Sequence, residues 1–267
     1  MVERKDSAET EEWSSSVGGD VVYLNNAGQA ALTPEVQKVG VDSLMRAPWD
    51  GHSDDDQGQI RYLFSQLIDG ESSSIAIMPS TAFAITLAAR NIQRTVMQSK
   101  KEGRILLLQD QFNSAVYPWQ QICEESRGKV SLEIVQHPTQ DGGGWTEDIL
   151  NRIDETLIAA CLPPLHWSNG ELLDLQKIGA ACKKYNVPLV VDATQGMGHK
   201  YLSLYFATKT HIYHLFATIG VAVGIMPISL KKIDPDFLAC SVHKVRRNIY
   251  SICLPSNILF HESNNWS

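Results

Sequence analysis

The stretch Pro188-Leu189-Val190-Val191-Asp192-Ala193-Thr194-Gln195 sets an acid directly behind an unbroken apolar run. Three consecutive Leu and Val residues, with a proline in front and polar residues behind, are too short for a helix and read as a strand buried on both faces. Such strands belong to parallel sheets covered by helices on both sides. In those sheets ligands bind in the crevice outside the carboxyl ends of the strands. Asp192 would stand at that crevice.

Working outward, the same short apolar pattern recurs at Ser74 to Met78, Arg104 to Leu108, Val130 to Val135 and Thr156 to Leu162. Between these runs the period changes to that of a helix. Ile85, Ala88, Ala89, Ile92 and Val96 fall on one face behind Ser80 and Thr81. Leu175, Ile178, Cys182 and Tyr185 do so ahead of Asn186 and Pro188. Alternating strands and helices predict an α/β chain with a mostly parallel, three-layer sheet. A further strand-like run, Asp236 to Lys244, ends in Ser241-Val242-His243-Lys244.

Composition sets the outer bounds. The 267 residues are 43% hydrophobic and 20% charged, with a formal net charge of -7, which excludes a disordered, collagenous or disulfide-scaffold chain. An acidic balance also argues against nucleic-acid binding, because phosphate neutralisation needs clustered Lys and Arg, and the densest basic run is only Lys244 to Arg247. Five cysteines, Cys123, Cys161, Cys182, Cys240 and Cys253, lie without CxxC spacing. They read as reduced core residues of a cytoplasmic protein, with no metal site. Gly142-Gly143-Gly144 follows no strand and forms no GxGxxG, so a dinucleotide fingerprint is absent.

Post-strand positions collect the chemistry. Pro79-Ser80-Thr81 opens a helix, where free amides and the dipole favour an anion, although Ser and Thr there also serve as plain N-caps. Phe112 follows the second strand, an aromatic ring at the mouth of the sheet. Asp192 can hold a cationic ring nitrogen through a charge-assisted hydrogen bond. Lys244, at the end of an apolar run, is suited to imine chemistry. A phosphate cradle, an aromatic plate, an acid and a lysine are together the parts that pyridoxal 5'-phosphate requires.

On Tyr23-Leu24-Asn25-Asn26-Ala27-Gly28, Val190-Val191-Asp192-Ala193-Thr194-Gln195 and Ser241-Val242-His243-Lys244, the sequence resembles the class V aminotransferase family of fold-type I pyridoxal-phosphate enzymes. That group includes cysteine desulfurases and isopenicillin-N-epimerase-like proteins. The resemblance implies that Lys244 forms the Schiff base and moves the substrate Cα proton, while Asp192 keeps the pyridine nitrogen protonated. It implies that Gln195 bonds the ring hydroxyl oxygen and Phe112 lies against the ring. Ser80, Thr81, Ser241 and His243 would hold the phosphate. Asn25, Asn26, His166 and Trp167 would sit near an amino-acid substrate. A homodimer is implied as well, with no nucleic-acid or membrane partner.

The resemblance covers residues 21–199 and 227–244, behind a polar lead at 1–20. Asp192 and Lys244 stand 52 residues apart, about twice the family's usual connection. Residues 200–226 therefore read as an apolar insertion, charge-free from Leu215 to Met226. The apolar run at 212–230 is borderline in length for a membrane span, which needs about 20 residues. Residues 245–267 read as an aperiodic tail outside the family pattern, so a carboxy-terminal small domain is expected to be missing. Two functional expectations follow. One is an enzyme acting on an amino acid by transamination, epimerisation or carbon–sulfur cleavage. The other is a non-catalytic truncated isoform or mis-spliced product, poorly soluble and weak in cofactor binding.

Overall fold

The computed structural model describes residues 28, 34–45, 47, 54–99, 102–138, 144–198, 226–241 and 258–262. In chain order the elements are α1 (Pro34–Met45), α2 (Asp54–Ile68), β1 (Ile75–Met78), α3 (Thr81–Ser99), β2 (Gly103–Leu108), α4 (Tyr117–Glu125), β3 (Val130–Val135) and α5 (Gly144–Leu150). They continue with β4 (Leu157–Leu162), α6 (Leu175–Lys184), β5 (Leu189–Asp192), β6 (Met197–Gly198) and β7 (Met226–Pro227). The last are α7 (Leu230–Ile233), β8 (Phe237–Ser241) and β9 (Ile258–Glu262). Each predicted strand is present within a residue or two of its expected bounds as far as it is described, and residues 242–244 of the last run lie outside the described residues.

Seven strands form one sheet in the order β1-β9-β8-β5-β4-β2-β3. The ladders from β8 through β5, β4 and β2 to β3 are parallel, and β9 runs antiparallel to both β1 and β8. Six strands thus point one way and β9 runs against them. Within the segment read as a tail, residues 258–262 form a strand. Ile258–Glu262 sits inside the sheet and supplies the ladder that holds β1.

The period of two along the strands separates two core layers. Leu106, Leu108, Leu189, Val191, Leu238 and Cys240 face α2, α5, α6 and α7 through Phe64, Ile149, Ile178 and Ile233. Ile105, Leu107, Val190, Phe237 and Ala239 face the other way, onto Ala84, Ile85, Ala88 and Ala89 of α3 and Trp119 and Ile122 of α4. Strands buried on both faces are what the unbroken apolar runs call for.

Local signals place the helix ends. Asp174 caps α6 by accepting the Lys177 amide at 3.1 Å, and Lys183 and Lys184 occupy the last turn, where the dipole favours cations. Asn186 then takes a left-handed φ of 53° and Pro188 prevents continuation. The chain therefore enters β5 with Asp192 at its carboxyl end. Gly179 lets α6 approach α7 closely, since a Cβ there would meet the Ile233 carbonyl oxygen at 2.2 Å. Among the described residues no helix is long and apolar enough to cross a membrane.

Candidate active site

A cavity of about 360 Å³ opens at the carboxyl ends of the parallel strands, within the ~300–1,000 Å³ usual for small-molecule sites. Its wall is built from the ends of β1, β2, β4 and β5 with the turns that follow them, and from Ser241 at the end of β8. Ser80, Thr81, Phe112, Trp167, Asp192, Gln195 and Ser241 all line it. These residues are spread over more than 160 positions of sequence, and the strand-end rule is what gathers them. Asn25, Asn26, His243 and Lys244 lie outside the described residues, with Lys244 three positions beyond Ser241.

At one end of the cavity Ser80 caps α3, its Oγ accepting the Phe83 amide at 3.1 Å. The plain N-cap reading thus holds, and the same turn still borders the cavity with Thr81 at the helix's first position. The first amides of a helix lack intrahelical partners and carry the positive end of its dipole, so this corner suits an anion. Asp192 is buried, and its Oδ1 accepts the Thr194 amide at 3.1 Å. A carboxylate at a buried strand end favours a cationic partner.

Phe112 lines the same cavity from the turn after β2. It is 44% exposed and meets Trp167 edge to face, with ring centroids 5.7 Å apart. The loop that carries it is held from several directions. Trp167 Nε1 donates to the Asp110 carbonyl at 2.6 Å and His166 Nε2 donates to the Gln109 carbonyl at 2.9 Å. Gln111 accepts the Leu108 amide and donates to the Cys161 carbonyl, each at 3.0 Å. Asp110 itself takes a left-handed φ of 54°, a conformation an aspartate tolerates better than most residues.

His166, a candidate substrate neighbour, is wholly buried and is not among the residues that line the cavity. Its ring stacks on Trp145 at 5.3 Å and 16°, and its Nδ1 accepts from Ser168 Oγ at 2.9 Å. Burial holds its pKa below the ordinary imidazole value, so it serves as a neutral buttress. Gln111 and Thr194, both buried and both on the cavity, were not singled out from sequence. Thr194 lies between Asp192 and Gln195 and Gln111 directly precedes Phe112, so the strand-end position was the available signal. Buried Cys161 and Cys182 have thiols pushed up chiefly by burial, which leaves them poor nucleophiles. No His, Cys, Asp and Glu cluster suited to a metal occurs among the described residues.

The donor set fits a planar cationic ring that carries a phosphate, with an anion corner, a buried acid and an aromatic wall bordering one space. A family model, aminotransferase class-V, matches residues 22–205, and the chain belongs to that family of pyridoxal-phosphate enzymes. Its relatives include a probable cysteine desulfurase of Borreliella burgdorferi, 27% identical over 188 residues, which cover 69% of this chain and 37% of that one. Another is the uncharacterized aminotransferase YcbU of Bacillus subtilis, 24% identical over 136 residues, or 51% of this chain and 34% of that one. The chain spans 34% to 40% of the length of the curated relatives it matches. Solved cysteine desulfurases share the fold. That of Thermococcus onnurineus superposes with a TM-score of 0.66 at 17% identity, covering 91% of this chain and 54% of its own. CsdA of Escherichia coli gives 0.67 at 15%, covering 90% and 54%. The architecture is therefore the large-domain fold of the fold-type I enzymes.

Proposed function

We propose that the chain binds pyridoxal 5'-phosphate in this cavity and acts on an amino-acid substrate, with Lys244 as the cofactor's covalent anchor. The observation that carries the reading is the one cavity shared by Thr81 at the α3 N-terminus, Asp192 at the β5 end and Phe112 in the turn after β2. When bound, the cofactor supplies an electron sink that weakens the bonds at an amino acid's α-carbon.

The protein's own residues supply position and charge. Ser80 and Thr81, with the first amides of α3 and with Ser241 and His243, neutralise the phosphate. Asp192 holds a proton on the ring nitrogen, and its burial strengthens that charge-assisted hydrogen bond. Gln195 donates to the ring hydroxyl oxygen. Phe112, backed by Trp167, covers the ring face and excludes water. Lys244 takes the substrate Cα proton and returns it, and where it returns the proton separates transamination from epimerisation. Carbon–sulfur cleavage is the third chemistry the cavity would admit. Asn25, Asn26 and Trp167 would border the substrate. A cytoplasmic homodimer completes the proposal, and the free buried cysteines suit a reducing compartment.

Equilibrium titration with pyridoxal 5'-phosphate tests it. One equivalent should bind, and Asp192→Ala should weaken binding by about tenfold or more, the loss of a charged hydrogen bond. Equal affinity in the variant would remove Asp192 from the site.

A further inference from the structure

Thr194 lies at the meeting point of three elements. Its amide donates to Asp192 Oδ1 at 3.1 Å, its Oγ1 accepts the Ser241 amide at 3.2 Å, and the same oxygen stands 3.4 Å from Thr81 Oγ1. All four residues border the cavity and are buried. Thr194 therefore joins the acid at the end of β5, the last described residue of β8 and the first residue of α3.

Hydroxyl accounting gives this junction a direction. A backbone amide only donates, so Thr194 Oγ1 meets Ser241 with a lone pair and keeps its own proton. Thr81 Oγ1, 3.4 Å away, is an acceptor for that proton, although the spacing alone would let either hydroxyl donate. In that arrangement Thr81 accepts from Thr194 and has its own proton available for the cavity. The reversed arrangement would aim a Thr81 lone pair at the anion corner, where a negatively charged ligand would repel it.

We propose that Thr194 is a positioning residue, whose hydroxyl fixes the Thr81 hydroxyl as a hydrogen-bond donor to the phosphate of the bound cofactor. The inference rests on the cofactor reading above. It adds a phosphate-specific task for a residue that touches the phosphate only through Thr81. A merely structural Thr194 would alter binding of phosphorylated and unphosphorylated ligands alike.

The test compares pyridoxal 5'-phosphate with pyridoxal on the full chain, by equilibrium titration of protein fluorescence. Thr194→Val keeps the shape and removes the hydroxyl, Thr194→Ala removes it without burying an extra methyl group, and Thr194→Ser retains it. Thermal unfolding selects whichever hydroxyl-free variant folds like the parent. That variant should bind the phosphorylated ligand about tenfold more weakly, with pyridoxal affinity unchanged, and Thr194→Ser should stay within about twofold of the parent. An equal loss for both ligands, or no loss for either, overturns the inference and leaves the cofactor reading standing. A parent chain that binds neither ligand overturns both.

Discussion

At the scale of single residues, the strand-end rule located the residues and side-chain direction decided what each one faces. His166 and Trp167 are neighbours, yet Trp167 is 51% exposed on the cavity while His166 is wholly buried and does not line it. Nothing in a dipeptide says which of the two faces inward, so both read alike from sequence. Thr194 was passed over because a small hydroxyl between Asp192 and Gln195 looks like a spacer until Thr81 and Ser241 are folded beside it. The buried imidazole makes a pH prediction. Its pKa is depressed mainly by burial, so below the ordinary value of 6.5 the unfolded chain takes up a proton that the folded chain resists. Stability present above that value is lost as the pH falls through the folded-state pKa. Urea unfolding at pH 7.5 and 5.5 should show the parent less stable at the lower pH and His166→Gln less affected, and identical pH responses would refute the assignment. A second titration belongs to Glu125, which Arg90 and Gln93 hold at about 2 through hydrogen bonds joining α3 to α4. Its contribution is present above the ordinary carboxylate value of 4.5 and disappears as the pH falls toward about 2. Exposure keeps that contribution small.

At the scale of elements, the parallel strands and the helices α3 and α6 were legible because two strong periods alternate with clear stops. β9 was not, because Ile258-Leu259-Phe260 stands apart from any strand–helix alternation that would mark it as part of the sheet. Its place depends on partners far away in sequence, with Phe260 opposite both Ala76 and Ala239. A proline there cannot donate to the ladder, and central strands tolerate none. Phe260→Pro should therefore free β1, which lies at the sheet edge beside β9. Hydrogen exchange should become fast at Ile75 to Met78 while Leu106 to Leu108 stay protected, and unchanged protection at Ile75 to Met78 would refute the role of β9. The close approach of α6 to α7 makes a contrary prediction to helix propensity. Ala is the better helix former by about 1 kcal/mol. Yet Gly179→Ala should destabilise by about 1–3 kcal/mol, because its Cβ meets a backbone carbonyl that cannot swing aside. A neutral or stabilising change in chemical denaturation would contradict that packing.

At the scale of the whole molecule, the cavity lies at the strand ends of the seven-stranded sheet, and residues 199–225 of the long connection between Asp192 and Lys244 lie outside the described residues. Met197 and Gly198 pair in parallel with Met226 and Pro227, so the chain leaves and re-enters at one short ladder. We propose on that ground that residues 200–226 are an insertion. Removing them joins His199 to Pro227 and dissolves the two-residue ladder, while Ile228, Leu230 and Ile233 keep their places in the core. The shortened chain should retain the parent's unfolding midpoint and cofactor affinity, and collapse of both would show that the segment is integral. The central claim, that this cavity holds pyridoxal 5'-phosphate anchored on Lys244, is tested most directly by its visible absorbance. Addition of the cofactor should produce a band that borohydride bleaches, with peptide mass spectrometry finding the reduced cofactor on Lys244 and the band absent from Lys244→Ala. No band in the parent, or a label scattered over other lysines, would contradict the account.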